Sequence, residues 1–142
     1  MATTRNAHTN WVGDLATGAG QVTLDSSQQG TFDVTWKARA EAAEGKTSPE
    51  ELIAAAHSSC FAMAFSHELA SAGHKADYVN TSAAVTFVPG TGITGSHLTL
   101  STKIPGISQE DFDRIANGAK AGCPVSAALA GVTITLDATL EA

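Results

Sequence analysis

The stretch TSPEELIAAAHSSCFAMAFSHELASAG, residues 47–73, decides the fold because it predicts one long helix. Ser48 is a typical N-cap residue, and Pro49 suits the first helical position because its missing N–H needs no partner there. Glu51 lies three residues after Ser48 and completes a capping box. Together these residues place the start of the helix at Pro49.

This helix is apolar on nearly every face. We expect it to run to about Ala72 and to stop at Gly73, which gives a length of roughly 35 Å at about 1.5 Å per residue. Its apolar side chains include Leu52, Ile53, Phe61, Met63, Phe65 and a run of alanines. A helix that is apolar all round is a buried helix, and one small domain has too little surface to cover it. The sequence therefore predicts a stable homodimer.

Short strands are expected on both sides of the long helix. Segments rich in strand-forming residues, bounded by turn-forming ones, predict strands. The segments are Ala7 to Gly13, Gln21 to Asp25, Thr31 to Trp36, Tyr78 to Val88, Ser96 to Ile104 and Val132 to Leu140. The segment Lys37 to Lys46 is charged and contains a glycine, so we expect a loop there.

A second, broken helix is expected before the last strand. Ser108 is its N-cap, and Asp111 follows three residues later. Its apolar stripe has helical spacing and consists of Phe112, Ile115, Ala116 and Ala119. A Gly-Cys-Pro sequence centred on Cys123 interrupts this helix, and a short helix resumes from Val125 to Leu129.

The order of these elements predicts an α+β fold with mainly antiparallel sheets packed on the long buried helix and the broken helix. No repeat or low-complexity linker divides the chain, so we expect a single domain over residues 1–142. Charged residues make up only 15% of the sequence, which supports the burial of some surface against another chain.

The composition also excludes several classes of function. The net charge is −6 and no basic run occurs, so nothing attracts nucleic acid or an anionic membrane. No stretch of about 18 apolar residues predicts a membrane span. The N-terminal sequence MATTRNAHTN lacks the apolar core of a signal peptide, so we expect a cytoplasmic protein.

The two cysteines are the candidate reactive groups. Cys60 lies inside the long helix, and Cys123 lies at the break of the second helix. Two cysteines are too few for a four-cysteine zinc site, and we expect neither a metal nor a cofactor. In a reducing compartment such a pair is typically catalytic, redox-active or simply buried. A thiol peroxidase needs an attacking thiolate, a second thiol that traps the sulfenic acid, and a cation that lowers the thiol pKa.

The cation must come from outside the long helix, because no Lys or Arg lies between Glu51 and His74. Arg39, in the segment before the helix, is the candidate. Glu50 at the helix start could hold its guanidinium by a bidentate pair. The simpler interpretation is that Arg39 is a solvated charge and that Glu50 only complements the helix dipole.

Three other interpretations remain open at this point. A metal site could use His57, Cys60 and His67, but the spacing is poor and no HExxH or CxxC motif occurs. A cysteine hydrolase could use Cys60 with a histidine base, but it would leave Cys123 without a role. The chain could also be a non-catalytic homodimer with inert, buried cysteines.

Two motifs of the sequence resemble a known family. Residues 47–73 resemble the signature helix of the OsmC/Ohr family of organic hydroperoxide reductases. The segment AKAGCPVSAAL, residues 119–129, resembles the second cysteine motif of that family. The opening NWVGDLATGAG and the closing GVTITLD look like its OsmC branch, so the resemblance covers essentially the whole chain.

The resemblance implies an OsmC-like fold and an intertwined homodimer, with active sites at the subunit interface. It implies a cysteine-based thiol peroxidase that reduces organic hydroperoxides to alcohols in defence against oxidative and osmotic stress. By motif position, Cys60 matches the peroxide-attacking cysteine and Cys123 the resolving cysteine that forms a disulfide with it.

The resemblance also assigns the activating groups and the reductant. Glu50 matches the carboxylate of the family and Arg39 its thiolate-activating arginine, with Arg5 and Arg114 as the alternatives for that role. The family implies a small or protein-bound dithiol as reductant, of which a lipoyl group is the usual kind.

Overall fold

A computed structural model describes all 142 residues as an α+β chain. Strands and helices follow each other as β1 (Ala7–Val12), β2 (Ala19–Leu24), β3 (Thr31–Val34), α1 (Trp36–Ala40), α2 (Pro49–Ser71), β4 (Tyr78–Val88), β5 (Gly92–Lys103), α3 (Gln109–Gly122), α4 (Pro124–Ala128) and β6 (Thr133–Leu140). The chain forms two compact units, an N-terminal unit (Met1–Leu52) and a C-terminal unit (Ile53–Ala142). The single-domain organisation stays a prediction.

The N-terminal unit contains an antiparallel sheet in the order β1-β2-β3. The expected loop from Lys37 to Lys46 is wrong at its start, because residues 36–40 form helix α1. The Thr35 side chain accepts a hydrogen bond of 3.1 Å from the Ala38 amide and so caps this helix. The residues of α1 after Trp36 are good helix formers, and the glycine at 45 comes too late to stop them.

The expected bounds of the long helix α2 are confirmed to within one residue. At its start, the Ser48 hydroxyl accepts from the Glu51 amide at 3.1 Å. The capping box is only half formed, because the Glu51 carboxylate accepts from the Thr47 hydroxyl at 2.6 Å. At its end, Gly73 has φ +81°, and the His74 amide donates to the Leu69 carbonyl at 2.9 Å. This is a Schellman motif, which satisfies the last carbonyls of the helix.

The C-terminal unit contains a second sheet in the order β4-β5-β6. Strand β4 pairs antiparallel with β5, whereas β6 pairs parallel with it. The expectation of mainly antiparallel sheets is therefore confirmed, with β6 as the exception. Strand β5 begins at Gly92, four residues before the expected start at Ser96, because the ladder with β4 continues past a bulge between Thr86 and Phe87.

Helices α2 and α3 bury their apolar stripes against this second sheet. The Phe65 and Phe112 rings meet edge to face, with centroids 6.1 Å apart. The buried core consists of Phe61, Phe65, Leu69, Leu98, Leu100, Ile104, Phe112, Ile115, Ala116, Ala119 and Cys123. The expected apolar stripe of α3 is thus confirmed. None of the helices combines the length and the apolarity that a membrane span requires.

The single chain covers only part of α2. One row of small or apolar residues along this helix is exposed, and Met63 in its middle is 72% exposed. We call this row the Met63 face; it consists of Ala55, Ser59, Met63, Ser66 and Ala70. The core of one chain contacts only the opposite side of the helix, so burial of the helix on all sides stays a prediction for the dimer.

Candidate active site

Cys60 and Cys123 lie in direct contact, with their sulfur atoms 2.9 Å apart, and both are free thiols. Cys60 precedes the core residue Phe61 on α2 and is half-buried, whereas Cys123 is fully buried. Cys123 is the C-cap of α3, where its amide donates a hydrogen bond of 2.9 Å to the Ala119 carbonyl. It is also the N-cap of α4. The predicted break at Cys123 therefore positions the second thiol.

The two thiols differ in their hydrogen-bonding environments. Burial raises the pKa of the Cys60 thiol, and the hydrogen bond with Cys123 raises it further. Burial acts upward on Cys123 as well, but hydrogen bonds from Cys60 and from the amide and hydroxyl of Ser126 outweigh it and lower the pKa of Cys123. The pKa of Cys60 is therefore raised and that of Cys123 is lowered.

A cleft of about 370 Å³ opens beside Cys60. Its walls are mostly apolar or small, with one histidine and one carboxylate at the rim. The lining residues are Cys60, Met63, Ala64, His67, Glu68, Gly118, Ala119, Gly122 and Pro124. A small apolar molecule that enters this cleft reaches the half-buried sulfur of Cys60.

The N-terminal unit contains the expected ion pair of Arg39 and Glu50. The Arg39 Nε donates to both carboxylate oxygens of Glu50, at 3.0 and 3.2 Å, and Nη2 lies 2.9 Å from Oε1. The Glu50 side chain is only 9% exposed, and that of Arg39 is 31% exposed. A buried carboxylate needs such a partner, so Glu50 does more than complement the helix dipole.

Arg39 also borders an apolar pocket of about 390 Å³ in the same unit. Two tryptophan rings form part of its wall. The lining residues are Thr9, Trp11, Leu15, Val22, Val34, Thr35, Trp36, Arg39, Pro49 and Leu52. The arrangement places a guanidinium at the edge of a surface that suits an alkyl group.

The alternative arginines occupy exposed positions. Arg5 donates to the Thr4 carbonyl at 3.1 Å, and Arg114 donates to the Asp111 carboxylate at 2.9 Å on the outer side of α3. The four predicted site residues form two contacting pairs. Arg39 and Glu50 pair within the N-terminal unit, and Cys60 and Cys123 pair within the C-terminal unit.

His57 is fully buried, and both of its ring nitrogens have hydroxyl partners. Nδ1 lies 2.7 Å from the Ser96 hydroxyl, and Nε2 lies 2.8 Å from the Ser126 hydroxyl. These bonds leave no ring nitrogen for a metal ion or for direct deprotonation of Cys60. No sequence pattern points to Ser96, and Ser126 is distinguished only by its place in the second cysteine motif.

Comparisons with known proteins agree with this fold. The OsmC-like protein family model matches residues 41–137. Peroxiredoxin OsmC of Escherichia coli (strain K12) is 38% identical over 144 residues, which cover 99% of this chain and 99% of that protein.

Two solved structures share the architecture. One is an OsmC-like protein from Mycoplasma pneumoniae, with a TM-score of 0.75, 13% identity and full coverage of both chains. The other is the organic hydroperoxide resistance protein OhrB of Bacillus subtilis, with a TM-score of 0.65 and 24% identity over 94% of this chain and 98% of that one. On the family match and the full-length identity, this chain belongs to the OsmC-like protein family.

Proposed function

We propose that this protein is a cysteine-based peroxidase that reduces organic hydroperoxides to alcohols. The observation that carries the proposal is the 2.9 Å contact between two free thiols beside an apolar cleft. The full-length similarity to a peroxiredoxin supports the peroxidase-type activity. The hydroperoxide resistance protein among the structural neighbours shares only the fold, so the organic substrate class is inferred from the apolar cleft.

The reaction proceeds in three steps. The Cys60 thiolate attacks the peroxide oxygen remote from the alkyl group, the O–O bond breaks, and the alkoxide takes a proton and leaves as the alcohol. The Cys123 thiolate then attacks the Cys60 sulfenic acid, and hydroxide leaves with a proton as water. A dithiol, for example of the lipoyl type, finally reduces the Cys60–Cys123 disulfide by thiol–disulfide exchange.

Arg39 activates Cys60 in this proposal. Burial raises the pKa of Cys60, so the thiolate needs a fixed cation beside it in the reactive state. A guanidinium oriented by Glu50 suits this role because it keeps its proton and presents a planar donor edge. Removing the cation raises the thiol pKa, so Arg39→Ala should move the midpoint of Cys60 alkylation by iodoacetamide to higher pH. An unchanged midpoint would assign the role to Arg5 or Arg114.

The active protein is a homodimer in this proposal, and the second copy covers the Met63 face. The support is the exposed row of small and apolar residues on α2, where backbones can approach closely. Because Met63 also lines the cleft at Cys60, the same contact would enclose the substrate. Enclosure by a second chain would exclude bulk water from the reacting sulfur.

A thiol titration with the two cysteine variants tests the reaction. One equivalent of cumene hydroperoxide should remove both thiols of the wild-type protein. Cys60→Ser should consume no peroxide, because it keeps only the resolving thiol. Cys123→Ser should consume one equivalent, form a sulfenic acid and then overoxidise or stall with dithiols. A fast first turnover in Cys60→Ser, or intact thiols in the wild-type protein, would refute the proposal.

A further inference from the structure

The buried imidazole of His57 joins three elements of the C-terminal unit. His57 on α2 lies 2.7 Å from the Ser96 hydroxyl on β5 and 2.8 Å from the Ser126 hydroxyl on α4. All three residues are buried, so water cannot readily replace either bond. The three steps of the proposed reaction use none of these side chains, and their arrangement therefore needs an explanation of its own.

Helix α4 has few other contacts that fix its position. It is five residues long, which is too short for a helix to be stable by itself. Ser126 is its only buried residue, and Val125 packs against the core while only partly buried. The position of α4 therefore depends on the hydrogen bond between Ser126 and His57 more than on apolar packing.

Helix α2 contacts the α3–α4 junction, residues 122–126, at two points. His57 and Cys60 lie three residues apart on α2, and residues at this spacing are neighbours on one helix face. His57 bonds Ser126 at 2.8 Å, and the Cys60 sulfur lies 2.9 Å from that of Cys123. No other side-chain hydrogen bond joins α2 to this junction. The bond to Ser126 therefore fixes the junction one helical turn from the point where the sulfurs meet.

We infer that His57 is a positioning residue for the resolving thiol. Its hydrogen bond to Ser126 holds the α3–α4 junction in the place where Cys123 contacts Cys60. The inference rests on the proposed function, since it concerns formation of the Cys60–Cys123 disulfide. This role requires no proton transfer by the imidazole and no contact between the imidazole and either sulfur.

The position of the junction decides what happens to the sulfenic acid of Cys60. Attack by the Cys123 thiol gives the disulfide and releases water, whereas oxidation by a second hydroperoxide gives a sulfinic acid and a second alcohol. A thiol held in contact reacts at a high effective concentration. Without the bond to Ser126, the junction also populates positions in which Cys123 lies away from Cys60. Disulfide formation then falls with the fraction of molecules in which the two thiols still meet.

Two alanine variants of the full-length protein isolate the bond to the junction. Ser126→Ala and Ser96→Ala each remove one buried hydroxyl from the same imidazole, but only Ser126 belongs to α4. The equilibrium constant for the Cys60–Cys123 disulfide is measured in mixtures of reduced and oxidised dithiothreitol, by thiol alkylation and mass spectrometry. We expect Ser126→Ala to lower this constant at least about fivefold, the typical effect of one net hydrogen bond, and Ser96→Ala to change it less than about twofold.

Two further measurements distinguish positioning from a loosened core. Ser126→Thr keeps a hydroxyl at this position, so its equilibrium constant should lie closer to the wild-type value than that of Ser126→Ala. With excess cumene hydroperoxide, the ratio of disulfide to sulfinic acid should fall in Ser126→Ala but not in Ser96→Ala. A loosened core would instead lower the urea midpoints of both alanine variants and leave their disulfide equilibria alike.

The outcomes that overturn the positioning role differ from those that overturn the proposed function. An unchanged equilibrium constant in Ser126→Ala, or an equal fall in Ser96→Ala, would refute the role of the His57–Ser126 bond while the peroxidase stands. A constant in Ser126→Thr as low as that in Ser126→Ala would refute it as well. If the wild-type protein consumed no hydroperoxide, the peroxidase would be refuted, but the dithiothreitol equilibrium would still test the positioning role because it needs no peroxide.

Discussion

Replacing Arg39 by alanine isolates the buried carboxylate of Glu50. Three contacts of 2.9–3.2 Å join the two side chains, and the carboxylate is only 9% exposed. Removing one partner of a fully buried ion pair typically costs about 3–5 kcal/mol. Because the Arg39 side chain is 31% exposed and water screens part of the interaction, we expect about 2 kcal/mol here.

A surface pair in the same unit provides the matched control. Lys37 lies 3.3 Å from Glu44, but their side chains are 58% and 52% exposed. Such pairs contribute about 0–1 kcal/mol, so Lys37→Ala should change the free energy of unfolding by less than about 0.5 kcal/mol. Both substitutions remove one cation from α1, but the partner carboxylate is buried only in the pair of Arg39 with Glu50.

Urea denaturation of the wild-type protein and these three variants measures the difference. Arg39→Ala should lose about 2 kcal/mol, and adding Glu50→Gln should restore part of the loss because the uncompensated charge is removed. The fluorescence of the tryptophans can report the transition, since Trp36 lies close to Arg39 in sequence. A loss in Arg39→Ala no larger than that in Lys37→Ala would refute the claim that the pair holds a buried charge.

Three further predictions concern assembly, backbone and pH. Met63→Glu should produce monomers in analytical ultracentrifugation at micromolar concentration. Val88 is an exposed apolar residue outside α2, so Val88→Glu should leave the dimer intact. A dimer that survives Met63→Glu would contradict the Met63 face as the interface. Gly73→Ala should lower the free energy of unfolding by about 1 kcal/mol because φ at Gly73 is +81°. Gly118→Ala should raise it by about 0.5–1 kcal/mol, because Gly118 lies within α3 and an added methyl group meets no other atom. Urea midpoints can verify both changes. Burial lowers the pKa of His57, so the contribution of the neutral ring to stability is present above about pH 6.5 and is lost as the pH falls. His57→Gln should therefore flatten the decline of the urea midpoint between about pH 6.5 and 5. An unchanged slope would be evidence against a buried neutral ring.

The sequence predicted those parts of the fold that local chemistry determines. The bounds of α2 followed from an N-cap, a proline and a stop glycine, all of which act within one helical turn. The start of β5 at Gly92 depends on pairing with β4 across a bulge, and no local pattern encodes it. Helix α1 was not predicted, because the charges and the glycine of Lys37 to Lys46 are typical of a loop, and the Thr35 cap lies outside that segment.

In the candidate site, too, contacts between residues close in sequence could be predicted, and contacts between distant residues could not. The pairing of Arg39 with Glu50 could be expected because the residues are only 11 positions apart and one of them begins a helix. The partners of His57 lie 39 and 69 positions away, so their contact exists only once β5 and α4 pack against α2. Serine is also too common a residue to be selected without that packing.

The break between α3 and α4 both positions the Cys123 thiol and determines which backbone amides lie near it. Pro124 has no N–H and cannot continue α3, which costs about 3 kcal/mol relative to an uninterrupted helix. In a continuous helix the amides of Val125 and Ser126 would bond carbonyls four residues back. At the start of α4 these amides have no such carbonyls, and they act to lower the pKa of Cys123. The same interruption that ends the helix therefore prepares the thiol to act.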